Sequence, residues 1–237
     1  ATSAVRDAEN GADFCERVRA GTGHKLRILS GDEEANLIGR GLTCDPALAG
    51  LENFHLFDLG GGSLECLAFR QRLIVQAVSL KLGCVRLTER FVADPEAPFS
   101  RESRLALMDH VRMELARARL KFAETEYAAV FAGGSMTTVR AILGAREGCP
   151  LEDTSALITV DTLSDLLDRI AVMPLVERRL VPGLPPARAD VFPAALATML
   201  ALAETGRLTC FHHSLYNLRW GLADEALPLA VVSLEAG

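Results

Sequence analysis

Apolar positions along the chain follow two rhythms. Phe54 to Leu59 is a short, mostly apolar run. Leu64 to Phe69 and Leu73 to Leu80 follow it after brief breaks at Gly60-Gly61-Gly62-Ser63 and Arg70-Gln71-Arg72. Runs of that length between turn residues predict three strands, and the short connections predict an antiparallel meander. Tyr127 to Ala132 predicts another buried strand, Lys25 to Leu29 alternates like a half-buried one, and Leu208 to Phe211 offers a final one. Elsewhere the spacing is helical. Arg101 to Phe122 carries Leu105, Met108, Val111, Leu115 and Leu120, the pattern of an amphipathic helix with a charged outer side. Shorter helices are expected from Glu33 to about Arg40, Val85 to Phe91, Met136 to Leu143 and Thr159 to Ile170. A long buried helix is expected from Arg188 to Thr205 and a last one from Tyr216 to Leu227, while residues 1–20 read as a loop entering a helix. A strand meander followed by alternating helices and strands makes an α/β domain with a mixed sheet.

Composition narrows the class. The 237 residues are 49% hydrophobic but only 5% aromatic, so the core is built mainly from Leu, Val, Ile and Ala. A formal net charge of −6 argues against a general nucleic-acid binder, though not against one local anion pocket. Arg112, Arg117, Arg119 and Lys121 fall on the polar side of one expected helix and read as a solvated face. Six cysteines without a C-x-x-C pair read as free thiols of a cytoplasmic protein. The most apolar stretch, Val191 to Ala203, is too short to span a bilayer and holds Pro193, so no membrane partner is expected. The chain opens on Ala1 without a signal-peptide pattern, which raises the expectation of a preceding segment.

Candidate chemistry gathers at turns. Asp58-Leu59-Gly60-Gly61-Gly62-Ser63-Leu64-Glu65 places an acid at a strand end before three glycines. Glycine permits positive φ and close backbone approach, so such a turn suits phosphate oxygens, with Ser63 adding a hydroxyl. Asp58 and Glu65 flank it and suit a hard cation such as Mg²⁺. A plain β-turn with two surface carboxylates is an equal alternative on spacing alone. Gly133-Gly134-Ser135 repeats the strand-to-glycine pattern and opens a helix, whose first N–H groups attract anions. Neither turn is a P-loop or a nucleophile elbow. Gly31-Asp32-Glu33-Glu34-Ala35 offers a general base, or simply the acidic start of a helix. His212-His213 lacks a third metal ligand at a known spacing and fits a surface or strand-end role better.

In order along the chain, these segments resemble the exopolyphosphatase / guanosine pentaphosphate phosphohydrolase (Ppx/GppA) family. The resemblance is carried by residues 1–10 (ATSAVRDAEN), Leu29 to Ala35 (LSGDEEA), Phe57 to Glu65 (FDLGGGSLE) and Ser79 to Leu87 (SLKLGCVRL). Phe131 to Ser135 (FAGGS), Pro182-Gly183-Leu184 and Arg188-Ala189-Asp190 complete it. It implies an actin-like (ASKHA) fold with ribonuclease-H-like lobes, and Mg²⁺-dependent hydrolysis of a terminal phosphoanhydride in polyphosphate or guanosine pentaphosphate. On that resemblance Glu34 is the base that activates water, and Asp58 and Glu65 organise metal and water. Gly60, Gly61, Gly62 and Ser63 cradle phosphate, Gly133, Gly134 and Ser135 face it from the second loop, and Arg6 contacts it.

Departures from the family's pattern set further expectations. Its D-x-G-S-N-S loop has no match here, Ala195 stands where glycine is usual, and Asn217 to Gly221 (NLRWG) replaces a G-L-R-E-G segment. Residues 1–43 are therefore expected to be the end of a first lobe carrying Glu34, and 44–237 a second lobe with a C-terminal helix. Such a chain is expected to hydrolyse little by itself and to self-associate as a homodimer. Polyphosphate is the leading substrate, guanosine pentaphosphate the alternative, and a non-catalytic phosphate- or nucleotide-binding lobe the third possibility.

Overall fold

The computed structural model describes residues 1–122 and 127–234, with side chains to residue 227. Chain order begins with α1 (Ser3–Arg6), α2 (Gly11–Thr22) and α3 (Gly31–Thr43), followed by β1 (Phe54–Leu59), β2 (Leu64–Arg70) and β3 (Leu73–Leu80). Next come α4 (Cys84–Phe91), α5 (Arg101–Arg117), β4 (Ala128–Ala132), α6 (Gly134–Glu147) and β5 (Leu157–Thr159). The chain continues through α7 (Val160–Ala171), α8 (Leu175–Arg178), α9 (Phe192–Gly206), β6 (Cys210–His213) and α10 (Leu218–Leu234). The strands form one mixed sheet in the order β3-β2-β1-β4-β6-β5. The expected meander β1-β2-β3 is antiparallel, β4 and β6 add parallel to β1, and β5 closes the far edge antiparallel.

Strand alternation sorts the side chains into two cores. Phe57 and Leu59 of β1, with Leu64 and Cys66 of β2 and Phe131 of β4, point into the larger cluster that α4, α5, α6, α7 and α9 cover. The aromatic-poor composition is met there by α9, whose alanines and leucines from Ala194 to Ala203 are all buried. Phe54 and Leu56 point to the opposite face, where they pack with Leu67, Phe69 and Val130 beneath Ala35, Ile38 and Leu42 of α3. Phe54 and Phe69 stack across the strand pair at 4.3 Å between ring centres. The domain boundary expected after residue 43 thus runs beside a shared core, because α3 is the layer that covers this face of the sheet.

Four local expectations change. Lys25 to Leu29 joins no sheet; Leu29 N–H bonds instead to the Ala1 carbonyl at 2.9 Å, and the Ala1 ammonium to the Arg27 carbonyl at 2.8 Å. The helix expected to reach Phe122 stops at Arg117, and Arg119 takes φ 51°. Gln76 of β3 holds that exit, its amide bonding the Arg119 carbonyl and the Lys121 N–H. Arg112 is tied to Glu204 of α9 and to Asp109, and Arg117 to Glu114, so these bases form paired surface charges. The buried helix starts at Phe192 rather than Arg188, because Pro186–Arg188 forms a 3₁₀ turn and Pro193 sets the first helical turn. The short β5 and α8 were not expected; three or four residues carry too little period to detect. Among the described residues no helix is long and apolar enough to cross a membrane.

Close approach of α3 to its neighbours depends on glycine. A Cβ at Gly39 would press on Ile74, Leu67 and Phe69, at 2.9, 3.0 and 3.1 Å. A Cβ at Gly41 would run into the Asn217 carbonyl, and one at Gly221 of α10 into the Leu37 carbonyl. Gly41→Ala or Gly221→Ala is expected to lose about 2 kcal/mol or more by overpacking. Gly21→Ala on α2, where nothing lies within 4 Å, should instead gain roughly 0.5 kcal/mol. Urea unfolding of the three variants measures the contrast.

Candidate active site

The sheet register brings the acids together. Asp58 pairs with Glu65 across β1 and β2, and both side chains lie on the face that α3 covers. The start of α3 is pinned by a capping box, in which Ser30 Oγ accepts from Glu33 N–H and Glu33 accepts from Ser30 N–H. Glu34, one residue further, is buried and faces the same cavity as Asp58 and Glu65. The three expected acids therefore converge, although 31 residues separate Glu34 from Glu65. Burial, reinforced by the charge of Glu34, pushes the Asp58 carboxyl up to about 6. Burial also raises Glu65 to about 7, with Glu34 and Asp58 adding repulsion and the Ser63 and Ser79 hydroxyls opposing it. Ser79 Oγ donates to Glu65 at 2.9 Å from the neighbouring strand.

Arg6 is engaged by an acid. Its guanidinium donates to the Leu29 carbonyl at 2.7 Å and to Glu34 at 3.1 Å, beside the cavity rather than among the residues that line it. It holds the Glu34 carboxylate in place. Asp7 lies beside it, 3.6 Å from Arg6 Nε, and Arg86 bridges Asp7 to the Gly62 carbonyl. A chain of charge-assisted bonds thus links Glu34 to the glycine turn.

Of the two expected reasons for glycine in that turn, close approach is the one that applies. Gly60, Gly61 and Gly62 all keep negative φ. Gly60 N–H bonds the Ser63 carbonyl at 3.0 Å, while the Gly60 and Gly61 carbonyls accept from the first N–H groups of α4. Close approach is what requires glycine here, because a Cβ at Gly62 would lie 2.8 Å from Ser3 Oγ. Gly133 is the position that needs conformational freedom. It has φ 85°, and a Cβ there would strike the Asp58 carboxylate. The next residue, Gly134, begins α6 with no side-chain cap, leaving its first N–H groups for a ligand. Ser135 is committed elsewhere, donating to the Leu59 carbonyl at 3.1 Å and tying α6 to the end of β1.

Two cavities, of about 400 and 350 Å³, meet at Asp58, Gly60, Gly134 and Arg188. The larger holds all three acids, and the smaller continues past Ser135 and Cys84 toward Phe192. Arg188 lies over Gly134 and has no ion pair among the described residues. Arg219 lines the larger cavity from α10. Arg178 stands behind Arg188, buried, donating to the carbonyls of Ala189, Pro95 and Ala97 at 3.2, 2.6 and 2.9 Å. Sequence reasoning quoted Arg188 without giving it a role; its place in a Pro-rich turn before an apolar helix was the available signal. Nothing local marked Arg178 or Thr137, which also lines the cavity. His213 ends β6 as expected but is buried rather than on the surface.

A profile of the Ppx/GppA phosphatase family matches residues 1–230. The chain belongs to the Ppx/GppA family. Its relatives include an uncharacterized protein of Streptomyces coelicolor, 34% identical over 87% of this chain and 62% of the relative. Another is a guanosine-5'-triphosphate,3'-diphosphate pyrophosphatase of Pseudoalteromonas atlantica, 28% identical over 94% of this chain and 42% of the relative. The chain therefore spans less than two thirds of these curated relatives. An exopolyphosphatase from Cytophaga hutchinsonii superposes with a TM-score of 0.82 at 23% identity, over 96% of this chain and 73% of that one. The Aquifex aeolicus Ppx/GppA member gives 0.79 at 24% identity, over 96% and 72%. The expected α/β fold, with a mixed sheet between helices, is the fold found, and these Ppx/GppA structures share it.

The raised carboxyls give this Ppx/GppA chain a specific pH response. Between pH 4 and 7 the native state holds protons that the unfolded chain has released. Their stabilisation is full below about pH 4 and is lost as pH rises through about 6 to 7. In EDTA, denaturant unfolding is expected to show stability falling from pH 5 to pH 8. Glu65→Gln should flatten that fall and gain on the order of 2 kcal/mol at pH 8.

Proposed function

We propose that this chain forms the acid-bearing wall of a cytoplasmic Mg²⁺-dependent hydrolase that releases the terminal phosphate of inorganic polyphosphate. The observation that carries it is one cavity holding three carboxylates opposite an uncapped helix start and Arg188, which has no ion pair among the described residues. Acids alone would repel a phosphate chain, and N–H groups alone would bind it without activating water. Together they suit phosphoryl transfer, which is mostly positioning and charge neutralisation.

The donor set fits Mg²⁺. Among the described residues no three His, Cys, Asp or Glu side chains are placed to hold a metal by themselves. Mg²⁺ commonly uses one or two carboxylates and fills its octahedron with water and phosphate oxygens. Asp58 and Glu65 would hold it, and a cation between them would offset the burial that raises both carboxyls and the smaller repulsion from neighbouring acids. When bound, the ion would neutralise phosphate charge and polarise the scissile group.

Glu34 receives a proton from the attacking water as the water oxygen bonds to the terminal phosphorus. The bond from that phosphorus to the bridging oxygen breaks, and the shortened chain leaves with the electron pair. Arg6 holds the Glu34 carboxylate in place, while Gly134 N–H and Arg188 address the oxygens that gain charge. These groups all recognise phosphate, which favours a substrate made only of phosphate. Guanosine pentaphosphate is the second reading, supported by the name of the Pseudoalteromonas relative at 28% identity.

Glu34→Gln is expected to slow phosphate release from polyphosphate by about 100-fold or more in a form of the protein that turns polyphosphate over, measured with malachite green. An unchanged rate would remove Glu34 as the base, and no release from either substrate would leave a binding lobe. Guanosine pentaphosphate added as a competitor is expected to inhibit weakly; tight inhibition with its own turnover would favour the second reading. At pH 7.5, millimolar Mg²⁺ should raise the melting temperature, an increase absent from Asp58→Asn.

A further inference from the structure

A buried polar chain runs behind the phosphate-facing loop, and the mechanism above does not use it. Arg140 of α6 is buried and bonds the Thr154 carbonyl from Nε and Nη2, at 3.1 and 2.6 Å. Its Nη1 lies 3.3 Å from His213 Nδ1. The other ring nitrogen, His213 Nε2, lies 3.2 Å from Thr137 Oγ1, and that hydroxyl lies 3.0 Å from the Gly133 carbonyl.

Donor counting gives this chain one direction. A guanidinium can only donate, so His213 Nδ1 must accept and the ring proton sits on Nε2. Nε2–H then donates to Thr137 Oγ1, whose own proton goes to the Gly133 carbonyl. Burial and the charge of Arg140 hold the imidazole down to about 4, in keeping with a neutral ring. The Gly133 carbonyl also accepts Thr137 N–H at 3.2 Å. In a trans peptide the N–H points opposite the carbonyl, so anchoring the Gly133 carbonyl sets the direction of Gly134 N–H. That direction is away from α6 and into the cavity.

We propose that His213 is a positioning residue: through Thr137 it locks the Gly133–Gly134 peptide so that Gly134 N–H faces phosphate. This rests on the phosphate-site reading above. The anchor is well placed for the purpose. Gly133 has φ 85° and no side chain, so beyond the 3.2 Å bond from Thr137 N–H little local holds its peptide. Arg140 is held by a loop carbonyl outside the site, so the chain refers the peptide to a fixed point.

NMR of the ¹⁵N-labelled chain, with inorganic phosphate as probe, tests this. The His213 ring at pH 7 should show a protonated Nε2 and a bare Nδ1; the reverse tautomer overturns the proposal. His213→Leu and Thr137→Val should each weaken phosphate binding about tenfold, read from the Gly134 amide shift, with the other sheet amides unmoved. His213→Gln, which restores an N–H toward Thr137, should recover binding to within about threefold. Should His213→Leu fail to fold, Thr137→Val and His213→Gln carry the same comparison. Wild-type affinity in a folded Thr137→Val protein overturns the positioning role alone. A wild-type chain with the expected tautomer but no phosphate response at Gly134 overturns the site reading, and this proposal with it. In a form of the protein that turns polyphosphate over, His213→Leu should raise KM for polyphosphate about tenfold with kcat within about twofold.

Discussion

Two carboxylates held as cross-strand neighbours under a helix are the constraint around which this structure is arranged. Asp58 and Glu65 are direct partners in the β1–β2 ladder, and like charges in that relation repel. The ladder holds because the same face carries Phe54, Leu56, Leu67 and Phe69, whose burial outweighs the repulsion at its end. Slipping the register by one residue would relieve the acids and turn that apolar set toward the wrong layer. The repulsion is thus locked in by the core, while burial itself, more than the neighbouring charge, raises both carboxyls toward neutrality.

The two faces of the sheet supply different halves of the chemistry. On one face, α3 descends closely because Gly39 clears its path to the strands and Gly41 its contact with α10, and it delivers Glu34. On the other, α6 and α9 pack into the larger cluster, and the turns that precede them bring Gly134 and Arg188 to the sheet's end. Ser135 closes the gap by bonding the last carbonyl of β1, so the acid-bearing strand and the helix start move as one unit. Acids and anion-binding groups therefore meet only at the strand ends, where the two layers part.

Much of the fold was legible, and the failures have physical causes. Long periodic segments such as α5, α7 and α9 announce themselves because many side chains share one burial pattern. Lys25 to Leu29 alternates like a strand, yet a strand also needs a free sheet edge, and none reaches it. Residues near Phe122 keep a helical pattern, but Gln76 captures the backbone after Arg117. In the site, the acidic positions follow from motifs, whereas the pairing of Arg6 with Glu34 spans 28 residues and leaves no local pattern. The triple glycine is expected to supply positive φ and close approach, and only close approach is used, at Gly62 beside Ser3 and Gly61 beside Val85 of α4.

The sequence by itself determined the element types, the α/β class, the family and the identity of the three acids. Those depend on local periodicity and on motifs whose residues are contiguous. Tertiary structure decided which cations serve which acids, which glycine needs its freedom, and that His213 is buried against Arg140 and Thr137. Each of these is a contact between segments remote in sequence, and each is selected by burial and hydrogen-bond direction only once the sheet has placed them side by side.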